Sequence, residues 1–298
     1  YVSALGATKF INLDTTEAAA TYGSFGDTEP TTDVFYTSTV SAADRATNYA
    51  SEDYIAYCFA DVAGYQKIGS YTGTGAAGNM VETGFEPAFL LIKQTNTSGS
   101  NWNIIDNKRD TENPREAVLW ADTADTESTA SQSGAYDVNF LSNGFSLENT
   151  YQPFNASGGT YIYLAIAADP DVTTPTQANS FDAVTYAGTS SGQSISTNFK
   201  PDLVWIKRRE SENHRLFDSI RGSTKLIYSN ATNAEVTDAN SLTSFDSNGF
   251  SLGTSSGENV SGGTFVAWCW KAGDHDRKLP TINTTGSINS LVSANQNA

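Results

Sequence analysis

The sequence FLSNGFSL at residues 140–147 returns almost unchanged as FDSNGFSL at residues 245–252. A second stretch, NASGGTYIYLAIA at residues 155–167, returns as NVSGGTFVAWCWK at residues 259–271. The two matches are spaced by 105 and 104 residues, so they share one register. A period of that length is a whole small domain, much longer than a solenoid unit of roughly 20–50 residues. The chain is therefore predicted to be an array of similar modules.

The local patterns within each module predict β-structure. Residues 89–93 and 203–207 are largely apolar runs that follow a proline, as expected of central strands covered on both faces. The pairs Asn143-Gly144 and Asn248-Gly249 stand between apolar residues and predict hairpins. Short strands between turn signals, with hardly any helical periodicity, indicate an all-β fold. We expect tandem antiparallel β-sandwich modules of the jelly-roll type.

The same register predicts where the modules begin and end. Residues 53–59 repeat the final strand of a module, and residues 9–18 resemble residues 225–234. The start of the chain thus reads as the back half of a module, which predicts that the sequence is a segment of a longer polypeptide. The predicted parts are the C-terminal part of a module (1–64), a complete module (65–170), a linker (171–180), a second complete module (181–275), and a polar linker or the start of a further module (276–298).

Composition excludes several classes of function. The net charge is −16 and the pI is about 4.4. Binding to a phosphate backbone requires clustered Lys and Arg, so we expect no nucleic-acid partner. No apolar run approaches the roughly 18 residues that span a bilayer, and we expect no membrane insertion. Cys58 and Cys269 occupy one register position in different modules and are predicted to be small buried thiols without a disulfide between them.

Catalytic apparatus is scarce in this sequence. The only histidines are His214 and His275, and neither recurs in another module. Asp106 and Asp218 each precede an arginine by three residues, Arg109 and Arg221. One carboxylate and one guanidinium per module are typical of an ion pair that braces a turn. Glycoside hydrolysis instead requires two facing carboxylates about 5–10 Å apart. We therefore expect structural ion pairs, no catalytic residues, no bound metal, no cofactor and no enzymatic activity.

A carbohydrate site would use aromatic side chains outside the core, because sugars stack their apolar faces on Trp or Tyr rings. Trp102, Trp120 and Tyr151 lie outside the most apolar runs and are the candidate glycan-binding residues. Calcium held by loop carboxylates such as Asp122 and Asp125 is a weaker alternative.

The combined motifs resemble a repeat family of marine tailed bacteriophages. The second module carries Phe199-Lys200-Pro201, the D-x-x-R element at residues 218–221, SNGFSL, and AWCWKAG at residues 267–273. The first module keeps the D-x-x-R element and SNGFSL but has Leu164-Ala165-Ile166 in place of Trp-Cys-Trp. The resemblance implies tail-fibre or virion-appendage proteins with concanavalin-A-like sandwich modules, and it brings no catalytic residues with it.

Three functions follow as hypotheses. The first is a structural and adhesive component of a phage tail fibre or virion appendage that attaches to a host surface. Its expected location is the extracellular virion surface, and its expected partners are other fibre subunits, a homo-oligomeric assembly and a host cell-surface glycan. The alternative is a purely structural spacer or filament subunit without a ligand, joined through the unpaired edges of the incomplete module. The third is a polysaccharide depolymerase that uses Asp106 or Asp218.

Overall fold

The computed structural model describes residues 1–31, 34–38, 47–49, 52–129, 135–167, 180–272, 281–283 and 290–292. The predicted linker at 171–180 lies outside these residues except for Ser180, as does most of the predicted tail at 276–298. Three parts are distinguished below by residue number. They are the N-terminal part (1–64), the first unit (65–167) and the second unit (180–272).

Strands form nearly all of the regular structure. The N-terminal part has a 3-10 turn at Ser3–Leu5 and a short antiparallel pair, β1 (Lys9–Phe10) and β2 (Ala20–Thr21). The first unit contains β3 (Gln66–Thr72), β4 (Asn79–Glu82), β5 (Pro87–Gln94), β6 (Asn103–Asp106), β7 (Leu119–Trp120), β8 (Val138–Leu141), β9 (Gly144–Leu147), the single-turn helix α1 (Gln152–Asn155) and β10 (Thr160–Ala167).

The second unit repeats this order of elements with one additional strand. It contains β11 (Phe181–Ala187), β12 (Gln193–Ser196), β13 (Leu203–Arg208), β14 (Arg215–Asp218), β15 (Lys225–Leu226), β16 (Val236–Thr237), β17 (Leu242–Asp246), β18 (Gly249–Leu252), the helix α2 (Ser256–Asn259) and β19 (Thr264–Trp270). Beyond it, β20 (Thr281–Asn283) pairs with β21 (Ser290–Val292).

Each unit contains two main antiparallel sheets, and the second unit also has the short antiparallel pair β15–β16. In the first unit the inner sheet has the order β3-β10-β5-β6-β7 and the outer sheet the order β4-β9-β8. In the second unit the orders are β11-β19-β13-β14 and β12-β18-β17. Corresponding strands therefore occupy corresponding places, and the predicted all-β sandwich fold is confirmed.

The central strands are apolar on both faces, as their continuous apolar sequence predicts. Alternate residues of a strand point to opposite faces of its sheet. In β19, Phe265 and Ala267 face the cluster between the two sheets of the second unit, whereas Val266 and Trp268 face a different cluster. All four side chains are fully buried. Such a strand is stable only where a second layer covers each face of its sheet.

The repeated hairpins require glycine for a steric reason. The loop between β8 and β9 is Ser142-Asn143, and Gly144 pairs with Leu141 as the first residue of β9. Gly144 has a φ of 156°, and a Cβ atom there would lie 2.1 Å from the Val81 carbonyl oxygen of the neighbouring strand β4. Gly249 repeats this geometry against Ile195. The SNGFSL motif thus brings three strands of the outer sheet together.

A third apolar cluster is shared by all three parts of the chain. Its buried members come from the inner sheets of both units, including Phe89, Ile166, Trp205, Trp268 and Trp270. Side chains from the N-terminal part pack against the same cluster: Val2, Leu5, Ile11, Leu13, Tyr57, Phe59 and Val62. We call this cluster the shared core. Because it joins inner sheets rather than the two sheets of one unit, it holds the parts of the chain together.

Residues 53–59 differ from the prediction. They repeat the sequence of the last strand of a unit, yet they form no strand in the structure. Residues 55, 57 and 59 are half-buried, whereas residues 54, 56 and 58 are exposed. The alternation of a strand is therefore present without the neighbouring strands. The prediction of two buried thiols is wrong for Cys58, which is exposed because no outer sheet covers it; Cys269 is buried, and both are free.

Candidate functional site

The D-x-x-R element of the first unit forms a fully buried ion pair. Asp106 ends β6, and its Oδ1 accepts hydrogen bonds from the backbone N–H groups of Lys108 and Arg109 at 3.0 and 2.9 Å. Its Oδ2 accepts Arg109 Nε at 2.6 Å, and neither side chain is exposed to solvent. Arg109 also donates to Glu127 Oε2 at 2.7 Å. Burial alone would raise the pKa of Asp106, but the Arg109 guanidinium outweighs it and holds that pKa below its usual value.

This ion pair is completed by the second unit. Trp268, on β19, donates its indole N–H to Asp106 Oδ2 at 3.0 Å. The Arg109 guanidinium lies over the Trp268 ring, 5.7 Å from its centroid. A carboxylate, a guanidinium and an indole therefore meet across the boundary between units, away from water. The geometry extends the predicted turn brace into a contact that joins two units.

The D-x-x-R element of the second unit makes the same contact with the N-terminal part. Asp218 accepts Arg221 Nε at 2.5 Å and the Tyr57 hydroxyl at 2.8 Å, both on Oδ2. Arg221 in turn donates to the Tyr57 hydroxyl oxygen at 3.2 Å. In the repeat register Tyr57 occupies the position of Trp268. Burial and the neighbouring Asp218 carboxylate raise the pKa of Tyr57, which remains a protonated donor at neutral pH.

A second repeated contact involves the residue immediately before β6 or β14. Trp102 donates its indole N–H to the carbonyl oxygen of Asn12, in the N-terminal part, at 2.7 Å. At the same register position His214 approaches the Trp120 carbonyl oxygen, in the first unit, with Nε2 at 2.9 Å. Asn12 and Trp120 are also at equivalent positions, because each follows a residue equivalent to Ile227. Ile11 matches Ile227 in the repeat register, and Leu119 matches it because both pair with the second residue of the neighbouring strand, β6 or β14.

The tautomer of His214 is fixed by its neighbours. Trp205 donates its indole N–H to Nδ1 at 2.8 Å, so Nδ1 must carry a lone pair. Nε2 then carries the proton and donates it to the Trp120 carbonyl oxygen. Complete burial lowers the pKa of His214 well below its usual value, with a further contribution from Lys207. The histidine is therefore a neutral hydrogen-bonding side chain with no lone pair free for acid–base chemistry.

Backbone hydrogen bonds repeat across the same boundaries. The N–H of Ala19 donates to the Thr95 carbonyl at 2.8 Å, and the N–H of Glu127 donates to the Arg209 carbonyl at 2.7 Å. Thr95 and Arg209 are equivalent residues that follow β5 and β13. Glu127 Oε1 also accepts Arg209 Nε at 2.9 Å. The first unit therefore contacts the N-terminal part in the way that the second unit contacts the first.

A further backbone pair has the same direction. The N–H of Gly99 donates to the Thr16 carbonyl at 2.9 Å, and the N–H of Glu212 donates to the Ala124 carbonyl at 2.9 Å. The boundary between the two units carries these loop contacts together with the Trp268–Asp106 hydrogen bond. The boundary between the N-terminal part and the first unit carries the loop contacts Ala19–Thr95 and Gly99–Thr16. The boundary between the second unit and the N-terminal part carries the Tyr57–Asp218 hydrogen bond. The three parts thus form a closed ring of contacts around the shared core.

At one boundary of the ring, apolar side chains take the positions that the ion pair and its aromatic donor occupy at the other two boundaries. Leu164, in β10, stands at the register position of Trp268 and Tyr57. In the N-terminal part, Val2 and Leu5 stand at the positions of the D-x-x-R aspartate and arginine. All three of these side chains pack against the shared core. The donor and its ion pair are therefore absent together at this boundary.

The two lysines near the ends of the central strands β5 and β13 were not singled out by sequence. Lys93 and Lys207 are fully buried at equivalent positions. Lys93 donates to the Ser100 carbonyl oxygen, and Lys207 donates to the carbonyl oxygens of Arg208 and Glu210 at 2.6 and 3.0 Å. Burial lowers the pKa of each lysine to about 8. Repetition of a lysine after an apolar strand was the available signal, and each lysine ties down its own loop.

The three predicted glycan-binding residues have different surroundings. Trp102 is only 7% exposed and its indole N–H is engaged, so its proposed role in stacking on a sugar is corrected to a role in the ring. Trp120 is half-buried, and its ring centroid lies 6.4 Å from that of Tyr136. The ring centroids of Tyr136 and Tyr151 are 5.6 Å apart. Tyr151 is 43% exposed. Two of the candidates are thus linked through Tyr136 into one aromatic patch.

Of the two carboxylates suggested for calcium, Asp122 belongs to the fold and Asp125 is exposed. Asp122 is buried and accepts the Trp102 backbone N–H at 2.9 Å and Asn101 Nδ2 at 3.1 Å. Within the part of the chain that the structure describes, no group of three or more His, Cys, Asp or Glu side chains is placed to hold a metal ion. His275 lies outside the described residues.

Comparison with known proteins gives a family without an assigned activity. A family model described as a domain of unknown function (DUF7483) matches residues 1–170 and 176–298. The chain belongs to the DUF7483 family. No curated protein and no solved structure matches it. Among the described residues of this DUF7483 chain, no helix is long and apolar enough to cross a membrane.

Proposed function

We propose that the chain is a non-enzymatic structural component of a phage tail fibre or virion appendage, in which β-sandwich units are held together as one rigid block. The observation that carries this proposal is the contact between a D-x-x-R element and an aromatic donor of another part, found at two boundaries of the ring. The virion location rests on the motif resemblance, since SNGFSL and AWCWKAG occur together with the D-x-x-R element.

The geometry of the carboxylates supports a structural role over a depolymerase. Asp106 is fully buried, and its oxygens already accept hydrogen bonds from Lys108, Arg109 and Trp268. A general acid or nucleophile must reach the glycosidic bond, and a second carboxylate must face it. Glu127, the other carboxylate beside Arg109, is itself held by two arginines. The polar groups that recur between units are thus consumed by assembly of the ring.

Host-surface attachment through a glycan is a second function, favoured by the aromatic patch of Trp120, Tyr136 and Tyr151. Tyr151 presents an exposed ring that lies edge-on to Tyr136, which in turn lies edge-on to Trp120, and the apolar face of a sugar could stack on the exposed ring. The purely structural spacer remains the alternative, because the ring contacts require no ligand.

Localisation on the parent particle tests the main proposal. Gold-labelled antibodies raised against the chain are expected to decorate a fibre or appendage on the outside of purified particles in electron microscopy. Labelling confined to the capsid interior or to the host cell would contradict it. For attachment, binding to host glycans should fall about two- to twelvefold in Tyr151→Ala, since one aromatic stacking contact contributes about 0.5–1.5 kcal/mol. The exposed Met80 provides a control in Met80→Ala. Equal binding by both variants would contradict the aromatic patch as the glycan site, and absence of glycan binding by the unaltered chain would favour the spacer.

A further inference from the structure

We propose that residues 53–59 and the exposed edge of the second unit at residues 232–235 form one docking surface for the first half of a further sandwich unit. The occupant is a β-segment built like residues 180–218, with one strand for each edge of residues 53–59 and a loop for the second unit. This inference concerns assembly of the ring and does not depend on a virion location.

Residues 53–59 present two unpaired edges and one uncovered face. Tyr57 faces the shared core, but Tyr54 is 54% exposed and Cys58 is exposed. The equivalent residues of β19, Phe265 and Cys269, are fully buried under the outer sheet. In the second unit, β19 pairs with β11 along one edge and with β13 along the other. Among the described hydrogen bonds, none joins the backbone of residues 53–59 to another strand.

The second unit exposes the groups that the other two parts use to hold a following unit. Ala124 and Glu127 are half-buried where the second unit covers them, and Thr16 and Ala19 are likewise half-buried under the first unit. At the equivalent positions of the second unit, residues 232 and 235 are exposed. The same edge of each part is therefore covered twice and left open once.

The charges on this edge define the chemistry of the occupant. At the covered boundary, Glu127 accepts hydrogen bonds from Arg109 of its own unit and from Arg209 of the docked unit. The equivalent Glu235 contacts Arg221 of its own unit, with a longer distance of 3.4 Å, and Lys225 at 2.9 Å. A docked segment with arginine at the position of Arg209 would supply the missing contact.

Arg221 shows that the two halves of the docking surface are adjacent. Its Nη2 donates to the Tyr57 hydroxyl oxygen at 3.2 Å, and its Nη1 lies 3.4 Å from Glu235 Oε2. One segment can therefore reach the edges of residues 53–59 and the loop at Glu235 together. This is strand complementation, in which backbone pairing gives affinity and side-chain pockets give specificity.

A second copy of the chain is a poor occupant. The corresponding strands of its own units already pair with the last strand of each unit, as β3 and β5 pair with β10 and β11 and β13 pair with β19. Donation to another chain would require those buried sheets to open. The surface therefore fits a segment whose strands have no unit of their own to complete.

The test adds such a segment to the full chain. A copy of residues 180–218, which contains no cysteine, is joined through a flexible linker ahead of Tyr1. The readout is the alkylation rate of Cys58, because Cys269 is buried. We expect that rate to fall at least about tenfold relative to the chain alone, together with new amide protection at residues 53–59, since an amide in a paired strand exchanges only on opening. A matched control carries Val204→Asp and Ile206→Asp in the added copy, and it should leave Cys58 reactive.

The proposal has two clear contradictions. If Cys58 reacts equally fast in the fusion and in the chain alone, residues 53–59 are not an acceptor for this segment. If the chain alone forms concentration-dependent dimers in which Cys58 is protected, the occupant is a second copy and the assignment above is wrong. Reduced protection in a Glu235→Arg version of the fusion would support the predicted contact with arginine.

Discussion

The two D-x-x-R elements offer a comparison in which one motif is placed in two environments. We predict that Asp106→Asn destabilises the protein more than Asp218→Asn does. The two aspartates occupy the same position in the repeat and begin the same turn, and each pairs with the arginine three residues later. They differ in water access, because the Asp106–Arg109 pair has no exposed surface, whereas Arg221 is 11% and Asp218 4% exposed at the side chain.

The magnitude follows from the groups left without a partner. Both oxygens of Asp106 accept hydrogen bonds, so an amide must turn its NH₂ group toward existing donors on one side. Breaking a buried ion pair by removing one charge costs about 3–5 kcal/mol. Arg109 retains Glu127, which favours the lower end, about 3 kcal/mol. Around Asp218 solvent can compensate, and about 1–2 kcal/mol is expected.

The assay is urea unfolding monitored by tryptophan fluorescence, with the change in free energy taken from the midpoint and the slope. A Trp268→Phe variant should lose part of the same energy, and its effect should be smaller in the Asp106→Asn background because the donor has lost its acceptor. If Asp218→Asn is as costly as Asp106→Asn, burial does not control the strength of this contact. Full additivity of the two substitutions would show that Trp268 and Asp106 do not interact energetically.

Two further predictions concern buried polar groups. The free energy of unfolding should fall as the pH drops below about 6.5, by up to about 1.4 kcal/mol per pH unit, because His214 is neutral in the folded state and becomes protonated in the unfolded state, which therefore binds more protons. Urea unfolding between pH 6.5 and 5.5 measures this slope, which should be absent in His214→Gln. Persistence of the slope in that variant would contradict the assignment of His214 as a buried neutral side chain. Asn259→Ala should cost about 3 kcal/mol in thermal or urea unfolding, because Asn259 is fully buried and its side chain bonds to five groups, the Thr189 N–H and hydroxyl, Gln193 Nε2 and the carbonyls of Ser191 and Gly253. Asn233→Ala, at an exposed position, should change stability by less than about 0.5 kcal/mol. Equal effects of the two substitutions would show that the side-chain hydrogen bonds of Asn259 contribute nothing to stability.

The sandwich fold was predictable because its signals are local. Residues 203–207 are apolar throughout, and such a run needs cover on both faces wherever it lies. The SNGFSL hairpin is likewise set by its own glycine and by one neighbouring strand. Residues 53–59 show where this reasoning ends. Their sequence is that of a strand, but a strand needs partners to form, and the described residues place none beside them.

The ring could not be predicted from the same patterns. Trp268 and Asp106 are 162 residues apart, and their hydrogen bond depends on how two folded units pack. The turn brace within each unit was predicted because Asp106 and Arg109 are three residues apart. Trp102 was misjudged because its neighbours are polar, although its ring reaches the shared core across the boundary. The repeated Lys93 and Lys207 carried a signal, yet burial of a lysine is not visible in an apolar run.

The variation among the three boundaries has an energetic logic. At two boundaries a carboxylate, a guanidinium and an aromatic donor occur together, and at the third Val2, Leu5 and Leu164 replace all three. Removing one member of a buried ion pair leaves an unpaired charge, whereas exchanging the whole set for well-packed apolar residues is often neutral or stabilising. The acidic partner of the arginine changes with them, since Ala19 stands at the position of Glu127. The carboxylate, the guanidinium and the aromatic donor are thus either all present or all replaced at a boundary. The polar set occurs where Asp106 and Asp218 accept a hydrogen bond from another part of the chain.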